Sequence, residues 1–538
     1  MLDIWPVLPI VVCVRGRRGE DEINDNVYGA LKEHDRICQV YVYVDLDYVS
    51  VFKIKELVGA MQVTFPKMTH LAINFDNPSP NRWRRAFFPE TFLGGSAPNL
   101  RSLRLAHITF PALPKLLLSS PGLVNLILIA FPYSGHISSD AMVNCLSSLT
   151  RLEFLHIHFQ PPDHGPDPDH PDRPSRRPPT LTHTSTVFPV LHTLRLIGET
   201  EYLDHILAHI EAPHLHDAYI EFFNPRSHDF IPIPTFPAFP ASPRLLLSSP
   251  GLVGLSLVSI PCPGYISFDA IVDCLSSLPW LKHLQIESRH SHPRPDSASP
   301  HPPILTRAVF PNLSTLHLEG ETEFIDQHLA HIEAPHLNDV HVRFLDPPNF
   351  DISRISSCIG HTEPFQAFDQ AFMRFGDGDV EVVHVLLSLR KETGDSKRLF
   401  LTLLWTDSGW KLVKVACRPS SHPFEFSLTE YRPLIDMGIT PWLEFLHVFT
   451  SSTVENLFLS MRLAICIAPA FQELAGEGVA EVLPALQTIF IRQREDSEAE
   501  IVQKVMGKFV ATRELSGHPV AVDIIGWKYE KYKNYSVV

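Results

Sequence analysis

The sequence has little charge and lacks the features that mark disulfide-rich, zinc-binding or membrane-spanning proteins. Only 20% of its 538 residues are charged, and its eight cysteines form no CxxC pair. This pattern excludes the usual zinc-ligand spacing and a dense disulfide framework. No run of 18 or more apolar residues occurs, so no membrane span is predicted. The net charge of −15 gives the chain no overall attraction for nucleic acid, so neither membrane nor nucleic acid is an expected partner.

Sequence motifs for catalysis and for cofactor binding are also missing. There is no GxSxG sequence, and "FGDGDV" (Phe375–Val380) lacks the lysine and following helix of a phosphate-binding loop. His164 and His170 lie among aspartates in "PDHGPDPDHPD", but the interrupting prolines favour a loop without a fixed coordination geometry. We therefore predict no catalytic residues, no cofactor and no metal site. The alternative, a hydrolase that uses some of the 29 histidines, would require histidine, aspartate and a nucleophile to converge in one pocket.

The amino-terminal segment predicts an intracellular protein. In "MLDIWPVLPIVVCVRGRRG" the apolar run precedes the arginines, which is the reverse of a signal peptide, so a buried strand or loop is favoured. The acidic "EDEIND" (Glu20–Asp25) is interpreted as a solvated loop. Cys145 and Cys274 each precede "LSSL" and are predicted to be buried free thiols. The expected location is the cytoplasm or the nucleus.

What the sequence does contain is a large internal duplication. The segment 116–157 recurs as 245–286, and 187–225 recurs as 309–347. Direct comparison shows that about three residues in five are identical in each pair. The segments that join the two blocks are rich in proline, histidine and small polar residues, so they predict loops.

A shorter pattern, LxxLxL, runs through and beyond both copies. It occurs in "LRSLRL" (Leu100–Leu105), "LVNLIL" (Leu123–Leu128) and "LHTLRL" (Leu191–Leu196), with degenerate forms as far as "LQTIFI" (Leu486–Ile491). The last two apolar positions alternate as on a strand with one buried face. Between them, "SSDAMVNCLSSL" and "ETEYLDHILAHI" show helical spacing of apolar residues.

Strand and helix recurring at intervals of about 23–39 residues predict an α/β leucine-rich-repeat solenoid with irregular repeats. Its parallel concave sheet would be backed by helices, with a β-hairpin elaboration near residues 380–406. We predict amino-terminal repeats over 1–98 and leucine-rich repeats over 99–347, with the duplicated segments at 116–225 and 245–347. An irregular region over 348–432 and carboxy-terminal repeats with a cap over 433–538 would follow.

The candidate binding surface is the concave face. In LxxLxL the residue between the last two apolar positions points away from the core. Polar and aromatic side chains at such positions favour binding of a protein partner. The predicted partner-binding residues are Arg104, His156, Arg195, Tyr219, Gln285, His317 and His341. By contrast His209 and His214, near a predicted helix end, are interpreted as structural.

Several phrases are more specific than the repeat itself. "LDIWPVLPIVV", "TFLGGSAPNLRSLRLAHITFPALPKLLLSSPGLVNL" and, near the carboxy terminus, "FVATRELSGHPVAV" resemble a large family of basidiomycete-fungal F-box/leucine-rich-repeat proteins. The resemblance covers nearly the whole chain. It implies that an F-box helix bundle would precede "DIWP" and dock onto the Skp adaptor of an SCF-type ubiquitin ligase. The repeats would then hold the protein substrate.

The chain departs from that family in two respects. It begins where the F-box would already have ended, and it carries the central pair of repeats twice. A Skp-type adaptor is therefore an expected partner only if an F-box lies upstream, and the sequence fits either a truncated gene model or a repeat module that lost its docking domain. The leading hypothesis is a non-catalytic receptor for protein substrates. The alternative is a stand-alone interaction scaffold with no ubiquitin link.

Overall fold

A computed structural model shows an α/β protein that divides into two compact units, Met1–Ile286 and Glu287–Val538. The structure describes residues 8–15, 25–45, 51–76, 88–132, 137–160, 185–223, 245–246, 248–260, 274–288, 308–320, 325, 328, 332–344, 370–375, 382–389, 397–404, 424–429, 443, 454–474, 483–493 and 499–526.

The first unit is built on a ladder of parallel strands. Its strands are β1 (Ile10–Arg15), β2 (Ile37–Asp45), β3 (His70–Asp76), β4 (Ser102–Ala106), β5 (Asn125–Pro132), β6 (Phe154–Gln160), β7 (Thr186–Val187), β8 (Thr193–Glu199), β9 (Ile210–Glu211), β10 (Asp217–Phe223), β11 (Gly254–Ile260) and the first part of β12 (His283–Ser288). The last two residues of β12, Glu287 and Ser288, belong to the second unit. Each strand from β1 to β6 pairs in parallel with the next, and β6–β8, β8–β10 and β10–β11 continue the series. The short β7 and β9 form a separate parallel pair. The amino-terminal apolar run is thus a strand, with Val12 and Val14 buried.

The LxxLxL pattern marks the buried side of this ladder. At β4, for example, Leu103 and Leu105 within the strand and Leu100 just before it are fully buried. The Leu100 amide donates to the Ala97 carbonyl, so the first leucine closes the turn that leads into the strand. The corresponding leucines of six other repeats donate in the same way to the carbonyl three residues earlier. They are Leu123, Leu152, Leu191, Leu215, Leu252 and Leu281. Each repeat adds one strand next to the strand of the preceding repeat. The strands therefore follow one another in the sheet in the same order as in the chain.

Helices cover part of the connections. They are α1 (Asp25–Lys32), α2 (Val51–Ala60), α3 (Leu113–Leu118), α4 (Ser139–Ser147) and α5 (Thr200–Leu207), with a short 3-10 segment at Phe92–Gly95. The two helices predicted from apolar spacing are confirmed as α4 and α5. The Ser138 hydroxyl accepts from the Ala141 amide at 3.2 Å and caps the start of α4. Asp25, assigned above to a solvated loop, begins α1 instead, where a carboxylate suits the positive end of the helix dipole.

The duplicated phrase "LLLSSPGLV" has a structural reason. In the first copy the Ser120 hydroxyl donates to the Leu116 carbonyl within its own repeat and to the Ala97 carbonyl of the preceding one, both at 2.9 Å. In the second copy Ser249 makes the same two bonds, to Leu245 at 2.8 Å and Ala212 at 2.9 Å. Both serines are completely buried. Each hydroxyl shares its single hydrogen between a carbonyl of its own repeat and one of the preceding repeat, and so joins one repeat to the next.

The two copies also share a strained residue. Ala130 and Ser259 occupy equivalent places near the ends of β5 and β11, with φ of 47° and 56°. In β5 the pairing register with β6 shifts between Leu128 and Phe131. A non-glycine residue in the left-handed region costs roughly 1 kcal/mol, so its retention in both copies shows that the bulge belongs to the fold.

The second unit combines parallel pairs with an antiparallel insertion. Its strands are β13 (Ala308–Val309), β14 (Thr315–Gly320), β15 (Ile332–Glu333), β16 (Asp339–Phe344), β17 (Gln370–Phe375), β18 (Val382–Leu389), β19 (Lys397–Leu404), β20 (Phe424–Thr429), β21 (Val454–Ser460), β22 (Thr488–Gln493) and β23 (Ala521–Gly526). β18 pairs antiparallel with β17 and with β19. The β18–β19 pair is the one predicted near 380–406. Parallel pairs join β14–β16, β16–β19 and β17–β20, then each strand from β20 to β23.

The carboxy-terminal part of this unit contains α6 (Met461–Leu474) and α7 (Ala499–Leu515). The predicted last strand, "AVDIIGW", is confirmed as β23 over Ala521–Gly526. The region around "GWKLVKVAC", the joining segments of both copies, and His164 and His170 lie outside the described residues. Within the described part of the chain, no helix is long and apolar enough to cross a membrane. Cys145 and Cys274 are buried free thiols, as predicted, and burial raises the pKa of Cys145 to about 11.

Candidate functional site

The predicted partner-binding residues of the first unit stand side by side on one face of its sheet. The strand register aligns Arg104 with Ile127, Ile127 with His156, His156 with Arg195, and Arg195 with Tyr219. Tyr219 is next aligned with Ser256, whose hydroxyl donates to Oε1 of Gln285 at 3.0 Å. We call Arg104, Ile127, His156, Arg195, Tyr219, Ser256 and Gln285 the outer row. Parallel pairing without a shift at these positions places one side chain per repeat about 4.8 Å from the next.

The middle of the outer row is held in a defined arrangement. The Arg195 guanidinium lies over the Tyr219 ring, 4.5 Å from its centroid, a cation–π contact. The Tyr219 hydroxyl donates to the Glu221 carboxylate at 2.7 Å. These two contacts hold a charged and an aromatic side chain in fixed orientations on the face of the sheet.

His156 lies between the two arginines of the outer row and is half-buried. Burial, and to a smaller extent the electrostatic effects of Arg195, His158 and Arg104, lower the pKa of His156 to about 4. Burial likewise lowers the pKa of His158, against the opposing effect of Glu221. At neutral pH this part of the row therefore carries positive charge on its arginines and not on its histidines.

Acidification is expected to destabilise the first unit through His156. Since folding lowers the pKa of His156 below about 6.5, its value in an unfolded chain, the folded state resists protonation. Its contribution is intact above pH 6.5 and is lost as the pH falls towards 4. His156→Gln should reduce the loss of unfolding free energy between pH 7 and pH 4.5 by about 1 kcal/mol, a small value because the side chain is partly exposed. Urea unfolding at the two pH values measures this, with His214→Gln at an exposed position as control; equal losses in all three proteins would contradict it.

In the second unit the corresponding side chains form a compact charged cluster. The strand register pairs His317 with His341, whose rings lie 4.1 Å apart between centroids. His317 Nε2 lies 3.9 Å from a Glu287 carboxylate oxygen, and Arg343 forms an ion pair with Glu319 at 3.3 Å. Glu287 and Glu319 are almost completely buried.

Three members of that cluster are candidate metal ligands that sequence analysis missed. Glu287, His317 and Glu319 each offer one ligand atom, and these atoms all lie within 4.8 Å of one another. The sequence places all three on the outward side of the repeats, but it gives no register between strands that are about 30 residues apart. The only signal was that Glu319 replaces an apolar residue, Ile197, of the first copy.

The histidines at the end of α5 belong to the packing between helices. His205 Nε2 lies 2.9 Å from an Asp140 carboxylate oxygen of α4, and His209 Nδ1 is 2.7 Å from the His205 carbonyl. Both imidazoles are buried, whereas His214 is exposed. The His205 contact links α4 to α5, and the buried His209 contacts the last turn of α5, which agrees with its structural interpretation.

The comparisons with known proteins add no family to these observations. No protein-family model matches the chain, and no curated protein matches it. What can be proposed about function therefore depends on the repeats, the outer row and the charged cluster.

Proposed function

We propose that the protein is a non-catalytic, leucine-rich-repeat module that binds a protein partner on the outward face of its sheet. It would correspond to the substrate-binding part of an F-box subunit of an SCF-type ubiquitin ligase, acting in the cytoplasm or nucleus. The observation that carries the proposal is the outer row itself. Six strands of the first unit each present one side chain in register, and a hydrogen bond from Ser256 adds Gln285 to the row. Repeat proteins characteristically bind through such an extended surface.

The chemistry of the outer row supports recognition of an acidic or aromatic protein segment. Arg104 and Arg195 flank a His156 that is neutral at pH 7, so the surface is locally positive although the chain has a net charge of −15. Arginine and tyrosine are the residue types that most often dominate binding energy in protein interfaces. The Arg195–Tyr219 contact is therefore the expected energetic centre.

Arg195→Glu is expected to weaken partner binding at least tenfold, because it reverses the charge and removes the contact with Tyr219. Thermal stability should change little, since Arg195 is exposed. Affinity capture with tagged wild-type protein, followed by titration of each captured protein, measures the effect. Arg151→Glu makes the same change at an exposed turn before β6, away from the outer row. A partner that binds wild type and both variants equally would contradict the proposed surface.

The second candidate is a stand-alone interaction scaffold, and the two differ in adaptor binding. If the gene encodes an F-box helix bundle ahead of "DIWP", its full product should bind a Skp-type adaptor, and removal of that bundle should abolish the interaction. Failure of the full product to bind would favour the scaffold. The binding role of the outer row is common to both candidates, so the Arg195 variant tests it separately.

A further inference from the structure

The charged cluster of the second unit combines groups that are costly to bury together. The carboxylates of Glu287 and Glu319 belong to residues only 9% and 8% exposed, and both approach the same imidazole, that of His317. Two carboxylates in a poorly solvated place repel one another and lose hydration, so a compensating positive charge is required. Arg343 supplies one such charge at Glu319, and its own side chain is 46% exposed.

The Nε2 atom of His317 is buried and has no hydrogen-bond partner among the described residues, since 3.9 Å to the Glu287 oxygen is too long for a hydrogen bond. An imidazole nitrogen next to two carboxylates is a metal-ligand set.

We propose that Glu287, His317 and Glu319 bind one divalent transition-metal ion, with Zn²⁺ as the representative. One nitrogen and two oxygens suit Zn²⁺ at ligand distances of about 2.0–2.2 Å, which places ligand atoms about 3.3 Å apart around a tetrahedral ion. The observed separations are all within 4.8 Å, so binding would require the three side chains to draw closer around the ion. Three protein ligands leave a fourth position on the ion for water.

The internal duplication shows that the site belongs to the second copy only. At the places of Glu287, His317 and Glu319, the first copy has His158, Arg195 and Ile197. Arginine and isoleucine cannot bind a metal ion, and yet both fit the same strand positions in the first copy. The first copy therefore suggests two substitutions, His317→Arg and Glu319→Ile, that remove two ligands. The equivalent strand of the first copy already contains both replacement residues.

The test is metal titration of the full chain after treatment with a chelator. The variant His317→Arg/Glu319→Ile carries the residues of the first copy. The control His283→Arg/Glu333→Ile makes the same changes at two exposed positions. Zn²⁺ binding is measured by calorimetry, and Co²⁺ is used to report coordination through its visible absorption. Any weak sites elsewhere among the 29 histidines contribute almost equally in all three proteins.

Wild type and control should bind one equivalent of Zn²⁺ more tightly than the cluster variant, by at least tenfold, and only they should show the Co²⁺ band of a low-symmetry site. Circular dichroism of the metal-free proteins establishes that the variant is folded. Equal stoichiometry and affinity in wild type and cluster variant would overturn the proposal.

A variant of Arg343 provides an independent measurement, because the Arg343 guanidinium forms an ion pair with the Glu319 carboxylate that the metal would bind. Arg343→Gln should therefore bind Zn²⁺ severalfold more tightly than wild type. Unchanged or weaker binding would contradict the proposed ligand set. The proposal does not depend on the outer row or on the identity of a protein partner.

Discussion

Phe110→Ala should lower the free energy of unfolding of the first unit by about 3–5 kcal/mol. Phe110 is 1% exposed and packs with Phe88 and Phe92, which are both completely buried. Its ring centroid lies 5.6 Å from each of the others, and theirs lie 4.3 Å apart. Removing the ring loses its burial and two edge-on aromatic contacts, and it leaves a cavity beside Phe88 and Phe92.

Hydrogen exchange of the β3, β4 and β5 amides measures this loss in the first unit alone, which avoids the assumption that both units unfold together. Phe110→Leu retains most of the volume and should cost less than half as much. Leu118→Ala is the surface control, because Leu118 is 53% exposed and should lose less than about 0.5 kcal/mol. A cost for Phe110→Ala no greater than that of Leu118→Ala would show that the three rings do not form a core.

Arg513→Met is expected to destabilise the carboxy-terminal part of the second unit by about 3 kcal/mol. Arg513 lies on α7 and is completely buried. Its Nη2 donates to the carbonyls of Leu483 at 3.3 Å and Leu486 at 3.2 Å, in the turn that leads into β22. Methionine fills similar space but donates no hydrogen bond, so both carbonyls would lose the guanidinium, and the Leu483 carbonyl would keep only the Leu486 amide as a donor.

The measurement is the protection of β22 and β23 amides against hydrogen exchange. Lys508→Met makes the same chemical change on α7 at an exposed position and should have little effect. Arg513→Lys keeps the positive charge but loses the planar fork of donors, so an intermediate loss is expected. Wild-type protection in Arg513→Met would mean that the turn before β22 does not need the guanidinium.

The regular part of the fold follows from local sequence. In "LRSLRL" the spacing fixes which residues enter the core, and Leu100, Leu103 and Leu105 are all buried. The prediction succeeds because side chains alternate along a strand, whichever strand lies alongside. The capped start of α4 and the burial of Cys145 were also predictable from sequence, because each depends on only a few consecutive residues.

Other features needed contacts between residues far apart in the chain. Ser120 and Ser249 each donate to a carbonyl of the preceding repeat, 23 and 37 residues earlier in the chain. The sequence shows that these serines recur, but it does not show which carbonyls they contact. The burial of Arg513 was not predicted, because an arginine on a helix normally lies in solvent. Only the position of the turn before β22 explains it.

By itself, then, the sequence determined that repeats of strand and helix exist, which faces of them are buried, and which residues point outward. The tertiary structure alone decided which outward residues meet. The register of β6, β8 and β10 places His156 and Tyr219 on either side of Arg195, and the fold of the second unit brings Glu287 to His317. The physical reason is that alternation along a strand is local, whereas alignment between strands is set by backbone hydrogen bonds and packing across many intervening residues.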